Sequence, residues 1–282
     1  MSDQTRREDR IVGPIPTEAA GMAPGRGRLS GRRILVVGAG TQPSPEPDAP
    51  IGNGRAIALL AAREGAAVAC ADRDESSARD TLAQIEKEGG RGCVVVGDVS
   101  DPDACARIVA EAERALGGLD GVVLNVGIAA GARLAGTDAA AWDRTFAVNL
   151  RAHFLIAREA LPRLAPGASL VFISSVAALG PGSQLPSYDS SKAGLAGLMR
   201  HVAFEGARRA VRANLVLPGL IDTPLGRNAT RGRPSRARTP VPLGRQGTGW
   251  EVAFATIFLL SGEASYVTGQ SLVVDGGLSA LS

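Results

Sequence analysis

Ile34-Leu35-Val36-Val37-Gly38-Ala39-Gly40 is the stretch on which the fold turns. Four apolar residues, preceded by Arg32-Arg33 and followed by glycine, form a run too short for a helix and apolar on both alternating faces. That is the pattern of a strand buried inside a parallel sheet. The glycines break off and resume at Gly52-Asn53-Gly54, where a segment begins with apolar residues at Ile57, Leu60 and Ala61, the spacing of a helix. Glycines between a strand and a helix let backbone N–H groups approach a pyrophosphate, and the helix N-terminus adds partial positive charge. Any tight turn uses glycine, so the weight of the motif comes from its place at the head of a β/α series.

Working outward, strands are expected over 67–71, 93–96, 121–124, 169–173, 211–217 and 270–274. Between them, helices are expected over 54–63, 75–88, 101–117, 139–164, 188–209 and 250–260. Gly89-Gly90 stops one of these helices, Asp101-Pro102 starts the next, and the long one ends near Pro162. About seven short apolar strands separated by helices predict an α/β fold, a doubly wound parallel sheet with helices on both faces. A single domain over 31–282 is expected, with no internal repeat. Residues 1–30, rich in Gly, Pro and Arg and without apolar periodicity, read as a flexible tail.

Composition narrows the function classes. Hydrophobic residues make up 45% and charged residues 21%, the balance of a globular protein. No apolar run nears the roughly 20 residues that cross a bilayer, so no membrane partner is expected. The formal charge of +3 belongs to residues 1–33, with seven Arg against four acids, and the remainder is neutral. A nucleic-acid partner would call for a basic face on the folded domain, and the charge balance speaks against one. Cys70, Cys93 and Cys105 show no zinc-ligand spacing. They read as reduced thiols in a cytoplasmic protein, with no metal expected.

Polar residues follow the strands. Ala71-Asp72-Arg73 ends the second, and Asp72 lies 18 residues beyond Gly54. A carboxylate there would accept from ribose hydroxyls of NAD and repel the 2′-phosphate of NADP, whereas Arg73 could accept that phosphate. Asp98-Val99 follows the third strand and Asn125-Val126-Gly127 the fourth, where ligands of open α/β sheets sit. Asp98 could instead only cap the next helix. Tyr188 and Lys192, four apart, share one helix face. A neighbouring ammonium would lower the pKa of the phenol from its ordinary value of about 10, so that it could exchange protons near neutral pH. Taken alone, Tyr-x-x-x-Lys more often marks a solvated helix face.

With Ser174-Ser175 ending the fifth strand, 13 residues before Tyr188 for the second serine, this order of motifs resembles the short-chain dehydrogenase/reductase family, and 3-oxoacyl-carrier-protein reductases among its members. The resemblance runs over about 32–282 and includes Val148-Asn149-Leu150, Pro218-Gly219, and Tyr266-Val267-Thr268-Gly269-Gln270 with Asp275-Gly276-Gly277. It implies a Rossmann fold and an enzyme that moves a hydride between a nicotinamide cofactor, NAD rather than NADP, and a small alcohol or ketone. Tyr188 would be the general acid/base, Ser175 would bond the reacting oxygen, and Lys192 would hold the nicotinamide ribose. Asn149 would order a water linking Lys192 to solvent, and Ser174 would be structural. Gly38, Gly40, Gly52, Asn53, Gly54, Asp72, Arg73, Asp98, Val99, Asn125 and Gly127 would line the cofactor, with Pro218, Gly219, Ile221 and Thr223 at its nicotinamide end. A homotetramer or homodimer is also implied.

Two departures stand out. The family turn reads Thr-Gly-x-x-x-Gly-x-Gly, but here Val37 stands for the Thr and ten extra residues lie between Gly38 and Gly52, with Pro43, Pro45, Pro47 and Pro50 in the stretch. Leu124 stands where an Asn often precedes the Asn-Ala-Gly motif. Residues 223–250, where the family carries a substrate lid, hold Arg227, Arg231, Arg233, Arg236, Arg238 and Arg245 and no acid. A cluster of one sign could attract an anionic substrate, although charge runs usually face water. The competing function is a non-catalytic dinucleotide-binding redox sensor, which fold alone does not exclude. A sensor would be free to lose Tyr188, Lys192 or Ser175, and this chain keeps all three.

Overall fold

The computed structural model describes residues 14–233, 235–236 and 239–281. Strand β1 (Arg33–Val37) leads through the interrupted glycine turn into α1 (Asn53–Arg63), followed by β2 (Ala67–Asp72), α2 (Glu75–Lys87), β3 (Arg91–Val96), α3 (Pro102–Leu116) and β4 (Leu119–Leu124). The second half runs α4 (Ala139–Phe146), a π-helical turn (Ala147–Arg151), α5 (Ala152–Ala160), β5 (Leu164–Ile173), α6 (Pro186–Ala207), β6 (Arg212–Pro218), β7 (Ile221–Asp222), α7 (Pro224–Gly232), β8 (Gly247–Thr248), α8 (Gly249–Leu260) and β9 (Ser271–Val274). Seven strands form one sheet in the order β3-β2-β1-β4-β5-β6-β9, with parallel pairing throughout. β7 and β8 make a separate pair.

The period of two in β1 explains the two layers. Leu35 and Val37 enter the core shared with α3, α5 and α6, while Ile34 and Val36 enter the core shared with α1 and α8. Such two-sided burial makes the strands read as continuous apolar runs. The winding direction reverses between β1 and β4, leaving a crevice at the carboxyl ends of the strands. The register sets its floor: Val37 pairs with Ala71 on one side and Leu124 on the other, so Gly38, Asp72 and Asn125 emerge at one level.

Three sequence expectations need correction. The helix expected over 139–164 is divided by the π-helical turn, and β5 begins at Leu164, five residues early, because Leu164 pairs with Leu119. Helix α7 was not anticipated. It lacks an apolar stripe, and its signal is local: Thr223 Oγ1 accepts from Gly226 N at 3.1 Å and Pro224 occupies the first turn. The third correction concerns the tail, of which residues 1–13 lie outside the described residues. From Ala19 onward the segment is packed against α1 and α8. Ala19 and Leu29 are buried, and Thr248 Oγ1 donates to the Ala19 carbonyl at 2.7 Å. Fully buried Glu64, at the end of α1, accepts from the backbone N–H of Arg26 and Arg28 at 2.9 and 3.0 Å and from the Arg28 guanidinium at 2.6 Å. Burial alone would raise the carboxyl's pKa, but these donors hold it below the ordinary range. A polar, glycine-rich composition thus conceals a segment ordered by one acid that lies far away in sequence.

Candidate active site

The crevice is a cleft of about 440 Å³. Its floor is the glycine turn. Gly38 has φ +82°, and a Cβ on Gly54 would lie 1.7 Å from the Gly38 carbonyl oxygen, so α1 approaches β1 as only glycine allows. Asn125 Nδ2 donates to the same carbonyl at 2.9 Å, tying the end of β4 to the turn. Gly52 caps α1 without a side-chain hydrogen bond, which leaves the first N–H groups of the helix available to an anion. An unobstructed backbone cradle at an uncapped helix N-terminus fits a pyrophosphate.

The ten-residue insertion does not disturb this cradle. Gly52 N donates to Thr41 Oγ1 at 3.2 Å, and Thr41 exchanges hydrogen bonds with Ser77 Oγ through its N–H at 2.8 Å and its carbonyl at 3.0 Å. Residues 42–51 therefore leave and return through a closed neck, and Gly38-Ala39-Gly40-Thr41 is contiguous in space with Gly52-Asn53-Gly54. Thr41 and Ser77 were not singled out from the sequence. Aligning the turn with 42–51 removed would have pointed to Thr41; Ser77 carries no local signal.

Of the residues expected at a cofactor, Gly38, Gly40, Gly52, Asn53, Gly54, Asp72, Arg73, Asp98, Val99, Asn125, Gly127, Tyr188, Lys192 and Thr223 all line the cleft. Asp72 Oδ2 accepts from Gly40 N at 2.9 Å and Oδ1 from Asp74 N at 3.1 Å, so its carboxylate lies against the glycine turn with exposed Arg73 beside it. Asp98 is not the cap of α3: that is Asp101, whose side chain accepts from Asp103 N at 3.0 Å. Pro218, Gly219 and Ile221 are not part of the lining. Ile221 is buried in the core beneath α8, and a Cβ on Gly219 would meet Asp275. Arg144 of α4 lines the cleft without having been foreseen.

At the far end, α6 presents Tyr188 and Lys192. The Lys192 ammonium lies 5.9 Å from the centroid of the Tyr188 ring and donates to the Ile173 carbonyl at 3.0 Å. Lys192 is buried, and burial pushes it down to about 8. Burial also raises the Tyr188 phenol, while a hydrogen bond with Ser175 and the charge of Arg236 pull it back. The lowering expected from Lys192 is thus not found: burial, joined by the charge of Asp189, outweighs the groups that pull the phenol down. Ser175 starts a short helical turn, accepting from Ala177 N at 3.2 Å. Ser174 Oγ donates to the Lys192 carbonyl at 2.9 Å and fastens β5 to α6. Buried Asn149, on the π-helical turn, accepts from Ile128 N at 2.8 Å and donates to the Ile128 carbonyl at 2.9 Å and to Ser191 Oγ at 3.1 Å. Interrupting a helix with a wider turn is a recurrent way of aiming one side chain at a functional site.

The arginines of the lid segment are largely spoken for. Arg227 pairs with Asp222, Glu46 and Asp48, Arg231 with Glu46, and Arg245 with Glu251. Arg233 donates to the Gly182 and Ser183 carbonyls, and Arg236 to the Gly226 carbonyl and Thr230 Oγ1. Arg238 lies outside the described residues. Acidic partners thus offset Arg227, Arg231 and Arg245, while Arg233 and Arg236 are held by neutral groups and keep their charge.

A cleft at the switch point of a doubly wound sheet, with a glycine cradle at one end and a Ser, Tyr and Lys at the other, defines the class of nicotinamide-dependent oxidoreductases. Known proteins agree. Residues 50–279 match the family model described as enoyl-(acyl carrier protein) reductase. The chain is 37% identical over 258 residues to an L-rhamnose 1-dehydrogenase (NAD(P)(+)) of Sphingomonas, a match covering 89% of this chain and 97% of that protein. It is 34% identical to a 3-oxoacyl-[acyl-carrier-protein] reductase of Thermotoga maritima, over 89% of this chain and 99% of that one. A solved structure from Agrobacterium tumefaciens with bound NADP superposes with a TM-score of 0.78 at 33% identity, covering 89% of this chain and 98% of that one. The chain belongs to the short-chain dehydrogenase/reductase family. It is an NAD(P)-dependent enzyme of alcohol and ketone chemistry, and the sensor alternative falls away. No helix among the described residues is long and apolar enough to cross a membrane.

Proposed function

We propose that this enzyme interconverts a secondary alcohol and a ketone, with Tyr188 as general acid/base and NAD as the preferred cofactor. The observation that carries the reading is the placement of Tyr188 at the end of the cleft with the buried ammonium of Lys192 5.9 Å from its ring centroid. When bound, the nicotinamide gives or takes the hydride. The raised pKa keeps the Tyr188 phenol protonated at neutral pH, ready to donate to the oxygen of a ketone being reduced, and the phenolate takes the proton back in the reverse direction. Ser175 Oγ bonds the same oxygen and orients it. Lys192 would hold the ribose of the bound cofactor and steady the phenolate by its charge. The amide of Asn149 is engaged by Ile128 and Ser191, which supports a role in holding the loop after β4 beside Lys192.

Asp72 supports NAD, since its carboxylate borders the place where an adenosine ribose would rest on Gly40. An anionic group on the substrate would be met by Arg236, whose charge reaches Tyr188 and whose hydrogen bonds are to neutral groups. We also propose a cytoplasmic homotetramer, supported by exposed Phe154 and Phe204 on the outer faces of α5 and α6. Light scattering at micromolar concentration should give a multiple of 28.8 kDa, and a monomer mass would count against it. The catalytic reading is tested by following NADH absorbance with a panel of secondary alcohols. Wild type should turn over at least one, and Tyr188→Phe should lose turnover yet bind NADH nearly as well. Near-normal turnover by that variant would refute the assignment.

A further inference from the structure

The insertion in the glycine turn and the lid helix both border the cleft. Thr41, Gln42 and Pro43 line it from the first, and Thr223, Pro224 and Leu225 from the second. One carboxylate joins them. Glu46 Oε2 contacts Arg227 at 2.5 Å and Oε1 contacts Arg231 at 2.6 Å, on successive turns of α7. Arg227 is itself held by Asp222 through two parallel hydrogen bonds of 2.8 and 2.9 Å, with Asp48 at 3.4 Å. The Glu46 and Arg227 side chains are 31% and 27% exposed, so the pair is partly shielded from water and belongs to a network, the circumstances in which a surface ion pair contributes measurably. The prolines of the insertion limit its freedom when unfastened, which lowers the entropic cost of holding it in place. Its neck is closed at Thr41, which accepts from Gly52 N, so the insertion is anchored directly beside the cradle.

We propose that Glu46 is a positioning residue that ties the substrate lid to the glycine turn, so that exchange of the dinucleotide requires these ion pairs to break. The inference rests on reading the cleft as a dinucleotide site. It assigns a purpose to an insertion that the cradle itself does not need: the bridge holds the two borders of the cleft together between turnovers.

The test is release of NADH from the full-length protein, followed by stopped-flow fluorescence. Glu46→Gln keeps the shape and removes the charge, and should speed release about fivefold, the upper end of what a surface ion pair represents. Arg231→Gln should act in the same direction, and the double variant should add little to either single one. Glu46→Asp should restore part of the slow release. In wild type the rate should rise with salt, and in Glu46→Gln it should not. A merely structural role for Glu46 would lower the melting temperature without changing the salt dependence of release. Unchanged release in Glu46→Gln, or additive effects in the double variant, would overturn the inference while leaving the dinucleotide site intact. Failure of wild type to bind NADH or NADPH at all would overturn both.

Discussion

Removing the charge of Asp72 should shift cofactor choice towards NADP by a predictable amount. The carboxylate is fixed by Gly40 N at 2.9 Å and Asp74 N at 3.1 Å, and its Oδ2 lies 2.8 Å from where a Cβ on Gly40 would stand. A 2′-phosphate on a ribose resting on that glycine is taken at about 5 Å from the acid, the range over which neighbouring charges act on one another. At an effective dielectric of about 20, two unit charges at that separation repel by about 3 kcal/mol, and solvent screening at this half-exposed site lowers the figure to about 1–3 kcal/mol. Wild type should therefore bind NAD about five- to a hundredfold more tightly than NADP on this account alone. Asp72→Asn is the informative variant, because the amide oxygen can still accept from Gly40 N while the charge is gone. It should recover most of that factor for NADP, with Arg73 available to the phosphate, and lose only a few-fold for NAD as the ribose bonds weaken. Titration of both cofactors into both proteins, by calorimetry at fixed ionic strength, gives the four constants. Wild-type binding of NADP as tight as NAD, or an unchanged ratio in Asp72→Asn, would refute the reasoning and pass the role to Arg73.

Gly54→Ala places a methyl group 1.7 Å from the Gly38 carbonyl oxygen, so cofactor binding should fall at least a hundredfold by fluorescence titration while Gly262→Ala, whose added Cβ meets nothing, leaves binding unchanged. Glu64→Gln leaves the half-buried Arg28 guanidinium without its counter-charge and should cost about 2 kcal/mol of stability, read from urea unfolding. Lys192→Met should abolish turnover yet raise stability at pH 7. The ammonium, pushed down from 10.5 to about 8 by burial, destabilises the folded chain by about 3 kcal/mol wherever it is charged, offset by about 1 kcal/mol for its bond to Ile173. A lowered folded pKa in a cation means that this cost is complete below pH 8 and fades as the pH rises towards 10.5. The advantage of the variant in melting temperature should therefore shrink between pH 7 and pH 10, and an advantage independent of pH would show that desolvation is not its source.

The sheet was legible because its physics is local. Burial on both faces forces short apolar runs, and helices between parallel strands show their own period, so the expected strands fall within a few residues of the observed ones. Tyr188, Lys192 and Asp72 could be placed on the cleft for a related reason: they stand at a strand end or one helical turn apart, where the backbone fixes their neighbourhood, whereas Ser175 was singled out by resemblance. What the sequence did not reveal depends on contacts between distant segments. The same glycine-rich composition serves a packed segment before β1 and a cradle after it, and only buried Glu64 and Leu29 decide the first. The division of the helix at 147–151 follows from the grip of Asn149 on Ile128, 21 residues away. Six arginines in one loop read as a free positive field until the tertiary structure brought Glu46, Asp48 and Glu251 to three of them. Hydrophobic period and turn chemistry act over a few residues and are written in order along the chain. Desolvation and charge pairing depend on what folding places within about 4 Å, and that is set only when the whole chain has closed.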